Sequence, residues 1–115
     1  MKSIPDIFKS FNDLQVLIIG DVMLDSYIWG SVERVSPEAP VPVVSVRKRD
    51  VRLGGAANVA LNIQSLGAKP ILCALIGDDD AGKKLVHQLN ARGIASDGIV
   101  LSTERPTTVK TRVIA

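Results

Sequence analysis

"RLGGAANVALNIQSLG", residues 52–67, decides the fold because it joins a pair of glycines to a helical pattern. Val59, Ile63 and Leu66 recur at helical spacing, and Gly67 is a typical helix stop. The paired glycines lack a Cβ, so the backbone there can approach another group closely. The stretch predicts a helix whose entrance lies against either a bound ligand or a tightly packed strand.

Strands and helices alternate on both sides of this stretch. Strands are predicted over "QVLIIG" (15–20), "KPILCALIG" (69–77), "DGIVL" (97–101) and "TTVKTRVIA" (107–115). A second helix is predicted over "DAGKKLVHQLNARG" (80–93). This alternation predicts an α/β fold with a doubly wound, Rossmann-like sheet, and 115 residues are enough for one small domain.

The second helix is amphipathic. Its pattern places Leu85, Val86 and Leu89 inward, with Asp80 as the N-cap. His87 lies among polar neighbours and has no second ligand at metal spacing, so we predict a surface residue there.

A competing phosphate motif precedes that helix. "GDDDAGKK" (77–84) has the spacing G-x-x-x-x-G-K of a P-loop. However, its three aspartates would crowd negative charge where a polyphosphate should lie, and Lys84 replaces the hydroxyl that holds Mg²⁺. We therefore predict a capped turn with Lys83 and Lys84 in solvent.

One connection is too long for a simple α/β unit. Residues 21–53 separate the first strand from the first helix, whereas such connections usually have about 2 to 6 residues. "SYIWGSV" (26–32) and "VPVVSVRKRDVRL" (41–53) have strand character and are separated by "SPEAP" (36–40). We predict a small antiparallel lid, inserted over about 26–53.

The predicted lid has an apolar side. Val44 and Val46 share one face, which needs a cover from substrate, from the main domain or from another subunit. We expect a lid that closes over substrate and pairs with a second protomer. A solvated hairpin with a purely structural role is the alternative.

Composition excludes several classes of partner. The net charge is +2 and only 3% of residues are aromatic, which argues against nucleic acid. No apolar run approaches the roughly 20 residues that span a bilayer, and the N-terminus lacks a secretory h-region. A single cysteine without a signal predicts a cytoplasmic protein without disulfides, with Cys73 as a small buried hydrophobe.

Polar residues cluster where ligands collect in α/β sheets, at the carboxyl ends of the strands. "GDVMLD" (20–25) brings Asp21 and Asp25, and carboxylates suit a hydroxyl-rich ligand such as a sugar. Each aspartate can equally form a turn or a cap. Asn58 offers a donor and an acceptor at the helix entrance, while alanines 56, 57 and 60 keep the helix close to the sheet.

These residues carry a family resemblance that extends from about Leu14 to the end of the chain. "GGAANVALNIQSLGAKPILCALIG" (54–77) resembles the first signature of the ribokinase-like, or PfkB, carbohydrate kinases. Together with "GDVMLD" and "SPEAPVPVV", it is similar to the branch that phosphorylates heptose 7-phosphate. The resemblance implies a doubly wound domain with a β lid after the first strand.

The resemblance also implies site residues. Asp25 would accept hydrogen bonds from sugar hydroxyls at the end of the first strand, and Gly54, Gly55 and Asn58 would bind the same sugar. Asp21 would either assist or brace the turn.

Two cations complete the predicted site. Lys110 and Arg112 lie on the same side of the last predicted strand and are possible contacts for a sugar phosphate, with a solvated strand edge as the alternative.

The implied reaction converts heptose 7-phosphate to heptose 1,7-bisphosphate for the ADP-heptose of lipopolysaccharide, with ATP and Mg²⁺. We expect residues 1–115 to be the N-terminal part of one kinase domain, inactive alone, with no metal site and a catalytic base beyond Ala115. We expect a sugar phosphate and a second protomer, bound through the lid, as partners.

Other PfkB sugar or nucleoside kinases and a non-catalytic sugar-binding or dimerisation module remain alternatives. A dinucleotide-binding domain is disfavoured because no G-x-G-x-x-G follows the first strand.

Overall fold

A computed structural model describes the whole chain, residues 1–115. Its helices are α1 (Ile4–Ser10), α2 (Ala56–Ser65) and α3 (Asp80–Ala91), with a 3₁₀ turn over Phe11–Asp13. Its strands are β1 (Gln15–Ile19), β2 (Val22–Val35), β3 (Pro42–Gly55), β4 (Lys69–Gly77), β5 (Ile99–Ser102) and β6 (Val109–Ile114). None of the helices is long and apolar enough to cross a membrane.

Strands β1, β4 and β5 form a parallel sheet in the order β1-β4-β5, which we call the core sheet. Residues of α2, α3 and one face of β4 are buried together in a single core cluster, so both helices cover that face. Leu85 and Leu89 are fully buried there, and Val86 packs against them, which confirms the predicted inward side of α3. On the opposite face, apolar side chains are exposed, namely Leu17, Ile19, Ile71, Leu75 and Val100.

Helix α2 packs through its small residues. Ala57 and Ala60 are fully buried, whereas Val59 and Leu66 are 46% and 47% exposed. Alanine lets the helix axis approach the sheet closely, and Val59 and Leu66 lie on the outer side, whereas Ile63 is half-buried. The helix ends before Gly67, which adopts a φ of 103°, as the helix-stop prediction requires.

Strands β2, β3 and β6 form a second sheet, in the order β3-β2-β6, which we call the lid sheet. β2 and β3 are an antiparallel hairpin of 14 residues each, and β6 runs parallel to β2. The hairpin extends over Val22–Gly55, so it is longer at both ends than the insert predicted over about 26–53. The strand predicted over 107–115 belongs to this sheet and not to the core sheet.

The lid sheet has two different faces because side chains alternate along each strand. Leu24 and Leu53 are paired, buried and part of the core cluster, so one face packs onto the core. Farther out, Val32 pairs with Val44, and Val32 and Val46 are 44% and 43% exposed.

Three local predictions have different outcomes. Asp80 as the N-cap of α3 is wrong, because Asp79 caps the helix by accepting a 2.8 Å hydrogen bond from the Gly82 N–H. Cys73 is only half-buried, since its strand exposes alternate residues on the uncovered face of the core sheet. The predicted exposure of His87 is confirmed.

Candidate functional site

The two sheets meet where β1 ends, β2 begins and β3 returns to enter α2. The Asp21 carbonyl accepts a 2.8 Å hydrogen bond from the Ala56 N–H and closes this junction. Gly55 has a φ of 59°, and a Cβ there would collide with the Asp21 carbonyl. Gly55 is therefore required by the backbone, and Asp21 braces the turn through its main chain while its side chain is exposed.

Gly54 makes room for the Asp25 carboxylate. A Cβ on Gly54 would lie 2.7 Å from Asp25 Oδ2 and 2.8 Å from Met23 Cγ, both shorter than real Cβ contacts. Asp25 is half-buried and lies on β2, four residues beyond the junction, not at the end of the first strand as predicted. The absence of a side chain on Gly54 thus leaves the space that the Asp25 carboxylate occupies.

Two cations flank Asp25 on the lid sheet. Its register partners are Arg52 on β3 and Lys110 on β6, and directly paired residues project from the same face. Lys110 is exposed. The Arg52 guanidinium turns to Asp50, with Nε 2.9 Å from Asp50 Oδ2, so it does not neutralise Asp25 in an ion pair.

Aromatic residues continue this face beyond Asp25. Arg112 Nη1 donates a 2.7 Å hydrogen bond to the Tyr27 hydroxyl, and the Arg52 guanidinium lies 4.8 Å from the Tyr27 ring centre. The Tyr27 ring stacks on Trp29 at 5.5 Å, and Lys48 lies 4.9 Å from the Trp29 ring centre. We call this surface the charged lid face; it contains Asp25, Tyr27, Trp29, Lys48, Asp50, Arg52, Lys110 and Arg112.

Part of this face has no sequence motif. From the sequence, Tyr27, Trp29, Lys48 and Arg52 are only predicted to be strand residues of the insert. Their alternation with apolar neighbours was the available signal, because every second residue of a strand shares a face. Which of them meet across strands depends on the register, which the sequence pattern alone does not fix.

Asn58 lies on the first turn of α2 and is exposed. Gly55 provides no side-chain cap, so the amide groups that begin α2 are not satisfied by a capping side chain. The structure thus brings Asp21, Asp25, Gly54 and Gly55 together at the junction, with Asn58 three residues beyond it. The predicted cations lie on β6, with Lys110 beside Asp25 and Arg112 beside Tyr27.

The charges of this face influence one another. The hydrogen bond from Arg52 is the main reason why the pKa of Asp50 is held below its ordinary value, and burial acts in the opposite direction. Asp50 therefore stays ionised, and the Arg52 guanidinium contacts both the Asp50 carboxylate and the Tyr27 ring. Carboxylate acceptors and cationic donors on one face suit a ligand that carries both hydroxyls and an anionic group.

The P-loop-like turn does not fit a nucleotide phosphate. Asp79 Oδ1 already occupies the start of α3 by accepting from the Gly82 N–H, so a carboxylate stands where a phosphate would bind. No three His, Cys, Asp or Glu side chains cluster in a way that could hold a metal ion.

Comparison with known proteins decides the family. The profile of the pfkB family of carbohydrate kinases matches residues 13–115, which is most of the chain. The chain belongs to the pfkB carbohydrate kinase family. The resemblance seen in residues 54–77 is thereby confirmed, and the two sheets described above are the corresponding part of a ribokinase-like α/β fold.

Individual relatives agree with this assignment. The bifunctional protein HldE of Pelobacter propionicus is 50% identical over 114 residues, which cover 99% of this chain and 23% of that protein. This pfkB chain thus spans about a quarter of the length of the curated relatives that it matches.

Solved structures show the same fold. An uncharacterized sugar kinase from Pyrococcus horikoshii in complex with ATP has a TM-score of 0.62 and 28% identity, over 87% of this chain and 30% of that one. A putative ribokinase from Agrobacterium tumefaciens has a TM-score of 0.66 at 20% identity, over 87% of this chain and 32% of that one.

Proposed function

We propose that this pfkB chain is the substrate-binding and lid part of an ATP-dependent kinase that phosphorylates heptose 7-phosphate to heptose 1,7-bisphosphate. The product would serve ADP-heptose synthesis for lipopolysaccharide in the cytoplasm. The observation that supports this proposal best is the Asp25 carboxylate packed beside Gly54 and flanked by Arg52 and Lys110. The resemblance of "GDVMLD" and "SPEAPVPVV" to the heptose 7-phosphate branch of the family favours heptose over other sugars.

In this proposal the sugar lies across the junction. The Asp25 carboxylate accepts hydrogen bonds from sugar hydroxyls, and the Gly54–Gly55 backbone and Asn58 contact the same sugar. Lys110 and Arg112 donate to the phosphate that the substrate already carries. ATP, as its Mg²⁺ complex, supplies the transferred phosphoryl group, and residues 77–84 do not fit its phosphates because Asp79 caps α3 there.

The lid is also proposed to join two protomers. Val32, Val44 and Val46 form an apolar patch on the lid sheet that is only partly covered within the chain. A second lid, placed symmetrically, would bury this patch and give a homodimer.

Calorimetric titration of the gene's full-length product tests the substrate. We expect heptose 7-phosphate to bind more tightly than fructose 6-phosphate, and Asp25→Asn to weaken heptose 7-phosphate binding by tenfold or more, as about one charged hydrogen bond would. Asp97→Asn, an exposed carboxylate outside the site, is the matched control. Equal binding of both sugars would favour another pfkB substrate, and binding without ATP-dependent turnover would favour a non-catalytic sugar-binding module.

A further inference from the structure

Thr107 is unusual in this chain because it is the one buried polar residue. It is 6% exposed, although its neighbours Pro106 and Thr108 are both exposed. The segment that contains it leads from Ser102, the last residue of β5, to Val109, the first of β6. Thr107 is therefore a fixed point in the connection that carries the chain from the core sheet to the lid sheet.

Asp79 and Gly77 hold Thr107 in place. Thr107 donates from its N–H to Asp79 Oδ2 at 2.8 Å and from its hydroxyl to Asp79 Oδ1 at 2.7 Å. The Gly77 N–H donates to Thr107 Oγ1 at 2.9 Å. Gly77 and Gly82 leave the necessary space, since a Cβ on Gly77 would lie 2.7 Å from Thr107 N and one on Gly82 would lie 3.0 Å from Thr107 Oγ1.

The fixed point lies immediately before the strand that carries the cations. The Thr108 carbonyl accepts a 3.0 Å hydrogen bond from the Leu24 N–H, and Lys110 follows two residues later opposite Asp25. β6 pairs with β2 from Leu24–Val109 to Trp29–Ile114, so its register decides which of its side chains face Asp25. A slip by one residue would turn Lys110 and Arg112 to the opposite face of the lid sheet.

We propose that Asp79 and Thr107 are positioning residues that set the register of β6 and so place Lys110 beside Asp25. This gives the "GDDDAGKK" turn a role other than phosphate binding: its third residue anchors the lid sheet to the core. The effect on ligand binding rests on the proposed function, because Lys110 acts there as a phosphate contact. The effect on β6 itself does not depend on any ligand.

Variants of the full-length protein test both parts. Thr107→Val keeps the shape and removes the hydroxyl, and we expect the KM for heptose 7-phosphate to rise about tenfold. We expect the KM for ATP and the kcat to change less than about threefold, since the perturbation is confined to β6. Thr107→Ser should restore wild-type values, and Thr108→Val, an exposed neighbour, is the matched control.

Amide hydrogen exchange gives a readout without ligand. In Thr107→Val we expect faster exchange over residues 109–114 and unchanged exchange over β1. If Thr107→Val does not fold, Asp79→Ser keeps a helix-capping oxygen while losing the second acceptor, and the same local change is expected. Unchanged exchange over 109–114, or an equal loss in both KM values and kcat, would overturn the proposal. If exchange changes but Lys110→Gln does not alter binding, the positioning role stands and the phosphate contact fails.

Discussion

Replacing Gly54 by alanine should displace the Asp25 carboxylate directly. The closest ordinary contact of a Cβ is 3.4 Å, and the new Cβ would lie 2.7 Å from Asp25 Oδ2, so the carboxylate must move by at least the difference of 0.7 Å. Such a shift would lengthen a hydrogen bond of about 2.8 Å between a sugar hydroxyl and the Asp25 carboxylate beyond bonding distance. We therefore expect Gly54→Ala to weaken sugar binding about as much as Asp25→Ala does.

The same clash should appear in the free energy of unfolding. Overpacking of this kind typically costs about 1–3 kcal/mol, and the loss of glycine's freedom in the unfolded chain returns about 0.4–1 kcal/mol. The expected net loss is about 1–2 kcal/mol. In an Asp25→Ala background the carboxylate is gone, whereas the close approach of the new Cβ to Met23 Cγ remains. The loss there should be about 1 kcal/mol smaller.

A double-mutant cycle measures this coupling. Urea denaturation of wild type, both single variants and the double variant, each as full-length protein, gives the interaction free energy. We expect it to be about 1 kcal/mol, with the double variant more stable than additivity predicts. Gly93→Ala is the control: no atom lies within 4 Å of its added Cβ, so any loss there comes from its φ of 71° alone. Additive effects of Gly54→Ala and Asp25→Ala would refute a contact between these residues.

Three further outcomes are expected. The pKa of Asp79 is lowered, mainly by the hydrogen bond from the Thr107 hydroxyl. The stabilising contribution of Asp79 is therefore complete above its ordinary pKa of 3.8 and is lost as the pH falls through its lower folded value. Acid denaturation should be less steep below pH 3.8 in Asp79→Asn. Val46→Asp should shift full-length protein from dimer to monomer in sedimentation velocity, whereas an unchanged dimer would exclude the lid patch. Ala60→Leu should lower the unfolding free energy by about 1–3 kcal/mol, with Val59→Leu near neutral because that site is half-exposed.

The core sheet was predictable because its signals are local. Apolar runs mark β1 and β4, and the spacing of Leu85 and Leu89 marks the buried side of α3. Helix α2 shows where periodicity fails, since Val59 is half-exposed and Ala57 and Ala60 are fully buried against the sheet. The sequence correctly places a tight approach at the glycine pair, where Gly55 faces the Asp21 carbonyl and Gly54 faces the Asp25 carboxylate.

The sequence pattern does not predict which strands pair when they are distant in the chain. Residues 107–115 have the pattern of a strand in either sheet, and nothing local in the sequence shows that they pair with β2. Likewise, Asp25 was expected at a strand end but lies within β2, because the lid hairpin begins directly after the first strand. Arg52 and Lys110 can be identified as neighbours of Asp25 only when the register of β2, β3 and β6 is known.

The order of strands in the lid sheet has a consequence for folding. β2 and β3 are a hairpin that can form locally, but Tyr27 and Arg112, which meet across β2 and β6, are 85 residues apart in sequence. Closing so long a loop is slow, and it requires the intervening helices and strands to be in place. We therefore expect the pairing of Asp25 with Lys110 to form late in folding. A capacity to hold an anion through Lys110 would then be the last property that this region gains.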